Sequence, residues 1–287
     1  MNSNIGLVLE GGGFRGIFTA AVLDVFQKEN LYFNYAIGVS AGVAYSVSYI
    51  AGQYGRNLEV NKFVADKRYC GLKHLLRQGN YFNWEFVYKE LPTSIIPFDY
   101  EALSKSVTQL KVVVTHCATG KAEYKTLKGT SPDEFRDLLT ATSSIPLISR
   151  MKSIDNQLYL DGGIADSIPI QQAFADGMQR AVVILTQHKE YRKEKLKYSF
   201  LVKLFYRRFP QLIDTMLTRA DKYNQTLDEL EKLEKEGKVF IIRPDNAIAV
   251  SRMENNPKTL QTAYDLAFEE AEKMMPRLKE WLNKTNK

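Results

Sequence analysis

The stretch Ile5-Gly6-Leu7-Val8-Leu9-Glu10-Gly11-Gly12-Gly13-Phe14-Arg15-Gly16 carries much of the structural information in this chain. Its first five residues form an apolar run, the pattern of a strand covered on both faces. The glycines that follow have no Cβ, so a substrate can approach their backbone N–H groups closely. A second run has the same design: Tyr35-Ala36-Ile37 leads into Gly38-Val39-Ser40-Ala41-Gly42. Small residues here flank a serine between a strand and the start of a helix, a turn that exposes the hydroxyl. A helix opening at Ala41 directs its N-terminal dipole at the same spot and favours negative charge there.

Outward from these two segments, strand-like and helix-like runs alternate. Residues 5–9, 35–38, 111–117, 157–160, 181–186 and 239–243 read as strands, and 122–127 pairs with 111–117. Residues 17–28, 41–54 and 258–283 read as helices, and Pro132 with Asp133 and Glu134 opens another that runs to Thr140. This interleaving predicts an α/β fold with a mostly parallel central sheet. The 287 residues, 45% of them hydrophobic, are enough for one large domain or two small ones. We expect one domain over 1–287: a core over about 5–186, a basic helical segment over about 187–237, and a last strand and C-terminal helix over about 238–287.

Composition excludes several classes. Charge and apolar content are those of a globular protein. Cys70 and Cys117 give no disulfide framework and suit a reducing, cytoplasmic compartment. No secretory leader is expected, because the first apolar run ends at Gly11. Residues 30–55 lack charge, but Asn34, Ser40, Ser46, Ser48 and Gln53 interrupt them, so a buried strand, turn and helix fits better than a membrane span. The net charge is +6. Eight basic residues between Lys189 and Arg208 stand against Glu190 and Glu194, a surplus equal to that of the whole chain. This is a local positive patch. Within it Leu196, Phe200, Leu201, Leu204, Phe205 and Phe209 recur at helical spacing. The segment 189–209 therefore reads either as an interfacial helix drawn to anionic lipid or as a helix covering the core. No segment resembles a nucleic-acid recognition module. The aromatic stretch 69–100, with Tyr69, Tyr81, Phe82, Trp84, Phe86, Tyr88, Phe98 and Tyr100, either lines an apolar groove or packs the core.

The chemistry centres on Ser40. A serine hydroxyl attacks only when a base takes its proton. Backbone donors aimed at a tetrahedral intermediate contribute roughly 10²–10³ each in rate. Gly11-x-Gly13-x-x-Gly16 also matches a dinucleotide fingerprint. That fingerprint expects an acidic residue at the end of the second strand. Glu29 instead precedes that strand, and the strand runs into the serine turn. Two bases are candidates. His188 follows the acids in the Ser–acid–His order of α/β-hydrolases. Asp161 ends a strand and precedes Gly162-Gly163, which lets another loop press against it. An ordinary Asp, with a pKa of ~3.9, needs burial to become a useful base. The histidines and cysteines have no metal-ligand spacing, and no cofactor is expected.

Three motifs now stand in order: Gly11-Gly12-Gly13-Phe14-Arg15-Gly16, Gly38-Val39-Ser40-Ala41-Gly42 and Asp161-Gly162-Gly163. In this order they resemble the patatin-like phospholipases, in particular the bacterial branch, and the likeness spans roughly residues 5–169. The segment Ala141-Thr142-Ser143-Ser144-Ile145-Pro146 is also similar to that family's segment upstream of the aspartate. The resemblance implies a three-layer α/β/α sandwich and hydrolysis of acyl-lipid esters without a metal. It implies a dyad of Ser40 as nucleophile and Asp161 as base. It implies an oxyanion hole from the Gly11, Gly12 and Gly13 backbone, with Arg15 helping to hold that loop. The alternatives are an esterase with Ser40, Asp161 and His188, and a lipid-binding protein without turnover.

Overall fold

The computed structural model describes residues 4–284. Residues 1–3 and 285–287, part of the expected single domain, lie outside the described residues. Eight strands form one sheet: β1 (Ile5–Leu9), β2 (Tyr35–Val39), β3 (Gln109–His116), β4 (Ala122–Thr126), β5 (Lys152–Ile154), β6 (Gln157–Asp161), β7 (Arg180–Ile184) and β8 (Val239–Ile242). The order is β5-β6-β3-β2-β1-β7-β8, with β4 also on β3. The pairs β3-β2, β2-β1, β1-β7 and β7-β8 are parallel. The pairs β3-β4, β3-β6 and β5-β6 are antiparallel, so the sheet is mixed but mostly parallel.

The helices are α1 (Ile17–Lys28), α2 (Ala41–Ile50), α3 (Arg56–Asn61), α4 (Leu72–Gln78), α5 (Tyr100–Lys105), α6 (Pro132–Thr142), α7 (Ile170–Ala175), α8 (Ser199–Phe205), α9 (Pro210–Lys235) and α10 (Pro257–Asn283). A wide π-type helix spans Phe86–Ile95. The central strands β1, β2 and β7 are buried at every position because helices cover both faces of the sheet there. Leu7 and Leu9 of β1 pack in the core shared with α1, α2 and α10, while Val8 packs on the other face with Tyr223, Leu227 and Leu230 of α9. This gives the three layers.

Local chemistry explains several boundaries. Ser131 and Glu134 form a reciprocal capping box that starts α6, with Pro132 in its first turn. The helix expected over 41–54 stops at Ile50, where Gly52 and Gly55 take φ of +71° and +70°. The apolar segment 196–209 is not one helix. It contains α8, and Pro210 then opens α9, because the residue before a proline is pushed out of helical conformation. The expected helical region 187–237 is thus helical only as α8 and α9. The strand β5 was not read from the sequence, since Lys152-Ser153-Ile154 is three residues long and only its pairing with β6 identifies it.

Candidate active site

The parallel strands β1 and β2 end side by side, with Leu9 opposite Gly38. Their following loops therefore lie together at the carboxyl edge of the sheet, where open α/β sheets take ligands. Ser40 stands at that edge with φ +52° and ψ −122°, a conformation an L-residue rarely adopts. Close packing holds it there. A Cβ on Gly42 would come within 2.8 Å of the Leu9 and Glu10 carbonyl oxygens, and one on Gly11 would lie 3.1 Å from the Ser40 Cβ. Ser40 is buried.

The end of α6 braces the site. The Thr142 hydroxyl accepts from the Ser40 amide at 2.8 Å and donates to the Val113 carbonyl at 2.7 Å. Ser144 O accepts from the Asp161 amide at 2.9 Å. The Ser143 hydroxyl pairs with Tyr88 at 2.9 Å. One short segment thus touches the backbone of both Ser40 and Asp161.

Asp161 ends β6, and its Oδ1 accepts from the Gly163 amide at 2.8 Å. The Ser40 hydroxyl lies near enough to the same carboxylate to stabilise its charged form. By surface Asp161 is half-buried, yet protein atoms crowd its carboxyl. Desolvation is the largest influence and raises its pKa above the usual carboxylate value. Arg219, the Gly163 amide, Ser40 and Arg252 pull the other way.

The glycine loop is fixed at both ends, by Glu10 N on Ile184 O at 3.0 Å and Phe14 N on Arg252 O at 3.3 Å. Among the described residues the amides of Gly11, Gly12 and Gly13 donate to no backbone carbonyl. A Cβ on Gly12 would meet the Thr186 hydroxyl at 2.6 Å, and Gly13 has φ +58°. Arg15 is not in the cleft lining. With the Gln187 amide turned to satisfy both of its ends, Arg15 donates to that side chain from Nη1 and Nη2 at 3.2 Å.

Two cavities meet at Ser40. One, of about 130 Å³, is lined by Gly13, Ala44, Tyr69, Trp84, Tyr88 and Phe98 among others. The rings of the 69–100 segment therefore both face this cavity and share the core, where Tyr69, Phe82, Phe86 and Phe98 are buried. The other, of about 30 Å³, is polar and holds Glu10, Gly11–Gly13, Asp161, Lys193, Arg219, Tyr223 and Arg252. Ser40, Gly13 and Ile145 line both.

Sequence reasoning missed most of the polar wall. Glu10 is buried, with Oε2 accepting from Thr186 N at 2.6 Å and Thr186 Oγ1 at 3.0 Å, and Oε1 accepting from Tyr223 at 2.6 Å. Tyr223 and Arg219 are four apart on α9 and share a helix face. That spacing, on a helix with an apolar stripe, was the available signal for Arg219. Burial of Lys193, and then Arg219 beside it, bring its ammonium down to about 7. His188 pairs with Glu190 at 3.1 Å and lines neither cavity. His74 contacts Lys67 O, and His116 contacts Thr119 and Gln157. Among the described residues no three His, Cys, Asp or Glu side chains cluster as a metal site.

The patatin-like phospholipase family matches residues 7–174. The chain belongs to that family. A domain of unknown function, DUF6363, matches residues 209–283, which hold all of α9, β8 and α10. The uncharacterized protein YjjU of Escherichia coli (strain K12) is 31% identical over 193 residues, 63% of this chain and 52% of that protein. The probable lipid hydrolase 463L of Invertebrate iridescent virus 6 is 26% identical over 189 residues, 58% of this chain and 62% of that protein. The chain thus spans between about half and three fifths of these relatives' lengths. VipD from Legionella pneumophila aligns over 96% of this chain and 67% of its own, with 12% identity and a TM-score of 0.49.

The Thr142 bridge gives a test for this patatin-like site. Thr142→Val keeps the shape but leaves the Ser40 amide and the Val113 carbonyl unpaired. The expected loss is about 1–3 kcal/mol of stability, read from the urea midpoint at constant m.

Proposed function

We propose that this protein is a serine acyl hydrolase of lipid esters, working through Ser40 and Asp161. The observation that carries the reading is the meeting of three features in one cleft: a serine on a strained turn, a desolvated carboxyl beside its hydroxyl, and a loop of free glycine amides. In this reading Asp161 takes the Ser40 proton as Oγ attacks the ester carbonyl carbon. The amides of Gly11, Gly12 and Gly13 receive the oxyanion. The tetrahedral intermediate collapses to an acyl-serine and the alcohol departs with a proton from Asp161. Water, deprotonated by the same aspartate, then releases the fatty acid and restores Ser40. The 130 Å³ cavity, with room for roughly ten waters, takes the acyl chain. Arg15, held on Gln187, steadies the glycine loop from behind. Membership of the patatin-like phospholipases and the likeness to a probable lipid hydrolase support a lipid substrate. The position of His188 outside both cavities disfavours a histidine triad.

We further propose peripheral contact with anionic membrane through 189–209. Leu196, Tyr198, Phe200, Leu204 and Phe205 are exposed, while Val202 and Tyr206 of the same segment are buried. Lys195, Lys197, Lys203, Arg207 and Arg208 surround the exposed group. Apolar residues ringed by cations suit the headgroup boundary of an anionic bilayer. Tyr206 accepts from the Leu147 amide at 2.9 Å, which sets this patch beside Ile145 and Pro146 at the cleft. Among the described residues no helix is long and apolar enough to cross a membrane.

Three measurements check these readings. Ser40→Ala is expected to abolish turnover of a chromogenic acyl ester and labelling by a fluorophosphonate, with circular dichroism unchanged. His188→Ala should keep most of the activity, and a loss equal to that of Ser40→Ala would restore the triad. Labelling of the intact protein also separates a hydrolase from a silent binder. The pH profile gives the second check. Asp161 must be ionised to act, and its pKa is raised, so kcat/KM should fall as pH drops through a midpoint above the usual carboxylate range. A midpoint at or below ~3.9 would remove Asp161 as the base. Third, vesicles with anionic lipid should bind the protein in low salt and release it as salt rises, while Phe200→Ser and Phe205→Ser weaken binding. Equal binding to neutral vesicles would count against the patch.

A further inference from the structure

The walls of the cleft beside Ser40 differ in charge as well as polarity. On the polar side Lys193, Arg219 and Arg252 gather with Glu10 and Asp161. The oxygens of Glu10 already accept from Thr186 and Tyr223. Asp161 accepts from the Gly163 amide. Among the described residues none of the three cations forms a salt bridge, and the Arg219 Nε is buried without an acceptor. A buried guanidinium N–H with no partner is costly unless something supplies the acceptor. Arg15 adds a fourth positive charge close by. The cleft therefore holds more positive charge than its two carboxylates offset.

Lys193 registers that surplus. Its backbone is held by Asn224 through bonds of 2.8 and 3.1 Å, and its ammonium lies 4.1 Å from the centre of the Tyr223 ring. Burial, Arg219, Arg252 and Arg15 all lower its pKa, and only Glu10 stands among the causes that raise it. An anion entering the cleft would relieve this repulsion. The polar cavity of about 30 Å³ has room for roughly two or three waters, the size of one compact charged group.

We propose that Lys193 and Arg252, with Arg219, form a headgroup site for the phosphate of an acyl lipid. An Arg fork and a Lys ammonium together supply the several donors that a tetrahedral phosphate accepts. The acyl chain then lies in the apolar cavity, the ester at Ser40 and the phosphate on the cationic wall. All three residues lie beyond the family-matched stretch 7–174, and Arg219 and Arg252 belong to the 209–283 region of unknown function. That region, in this reading, selects the substrate. The proposal rests on the reading of Ser40 as a lipid-ester nucleophile.

The test uses the full chain and separates binding from turnover. Dibutanoyl phosphatidic acid and dibutanoylglycerol have the same chains and differ in the phosphate. Kept below their critical micelle concentrations, they leave the exposed apolar group around α8 out of the measurement. By calorimetry the Ser40→Ala protein should bind the phosphatidic acid at least about tenfold more tightly. Lys193→Gln and Arg252→Gln, each added to Ser40→Ala, should cut that preference by about tenfold, and Lys193→Arg should restore most of it. With Ser40 intact the same preference should appear in KM more than in kcat. Equal affinity for the two lipids, or a preference that survives both Gln variants, overturns the proposal. Glycerol phosphate binding as tightly as the phosphatidic acid would overturn it as a lipid site and leave a site for free phosphate esters. A binding preference without turnover keeps the headgroup site and removes the hydrolase. Turnover without preference does the reverse.

Discussion

Ser40 keeps a backbone conformation that costs of the order of 1–3 kcal/mol, and three strands cooperate to hold it. β2 delivers it, and the β1 carbonyls of Leu9 and the adjoining Glu10 press against Gly42 just beyond it. The Thr142 hydroxyl ties its amide to the Val113 carbonyl of β3. These supports exist because β1, β2 and β3 are parallel neighbours and end along one edge. Were any of the three shifted by one residue, the side chains would change faces and the turn would lose its walls.

A second constraint carries this order across the sheet. The buried Glu10 carboxylate joins the end of β1 to Thr186 just beyond β7 and to Tyr223 on α9. Because Arg219 sits one turn before Tyr223, the same bond that seats Tyr223 orients the helix face carrying Arg219 toward the cleft. The carboxylate is thus placed to align the glycine loop with the C-terminal region. Its two oxygens and three donors match, as a buried charge requires.

The cleft that results has two characters. Aromatic side chains from the segment between α2 and β3 make one side, and cations from beyond β7 make the other. The two sides meet at Ser40, so one wall of the cleft is apolar and the other cationic. The exposed apolar residues around α8 sit near the same mouth through the Tyr206 to Leu147 bond.

The layers of the sheet were legible because their cause is local. Runs such as Leu7-Val8-Leu9 and Val112-Val113-Val114 are apolar at every position, and only a strand covered on both faces needs that. The glycine loop and the serine turn were legible because their backbone geometry tolerates few residue types. The short β5 was not, since three residues are too few to show a period, and the polar wall was not, since it depends on partners far along the chain. Nothing local marks Lys193 or Arg252 among 39 basic residues, and Arg219 is marked only by its spacing from Tyr223 on α9. Sequence by itself determined the strand–loop–helix units and the residues able to do chemistry. The tertiary structure decided which of them share a cleft, because burial, charge and hydrogen bonding act between residues that only folding brings together.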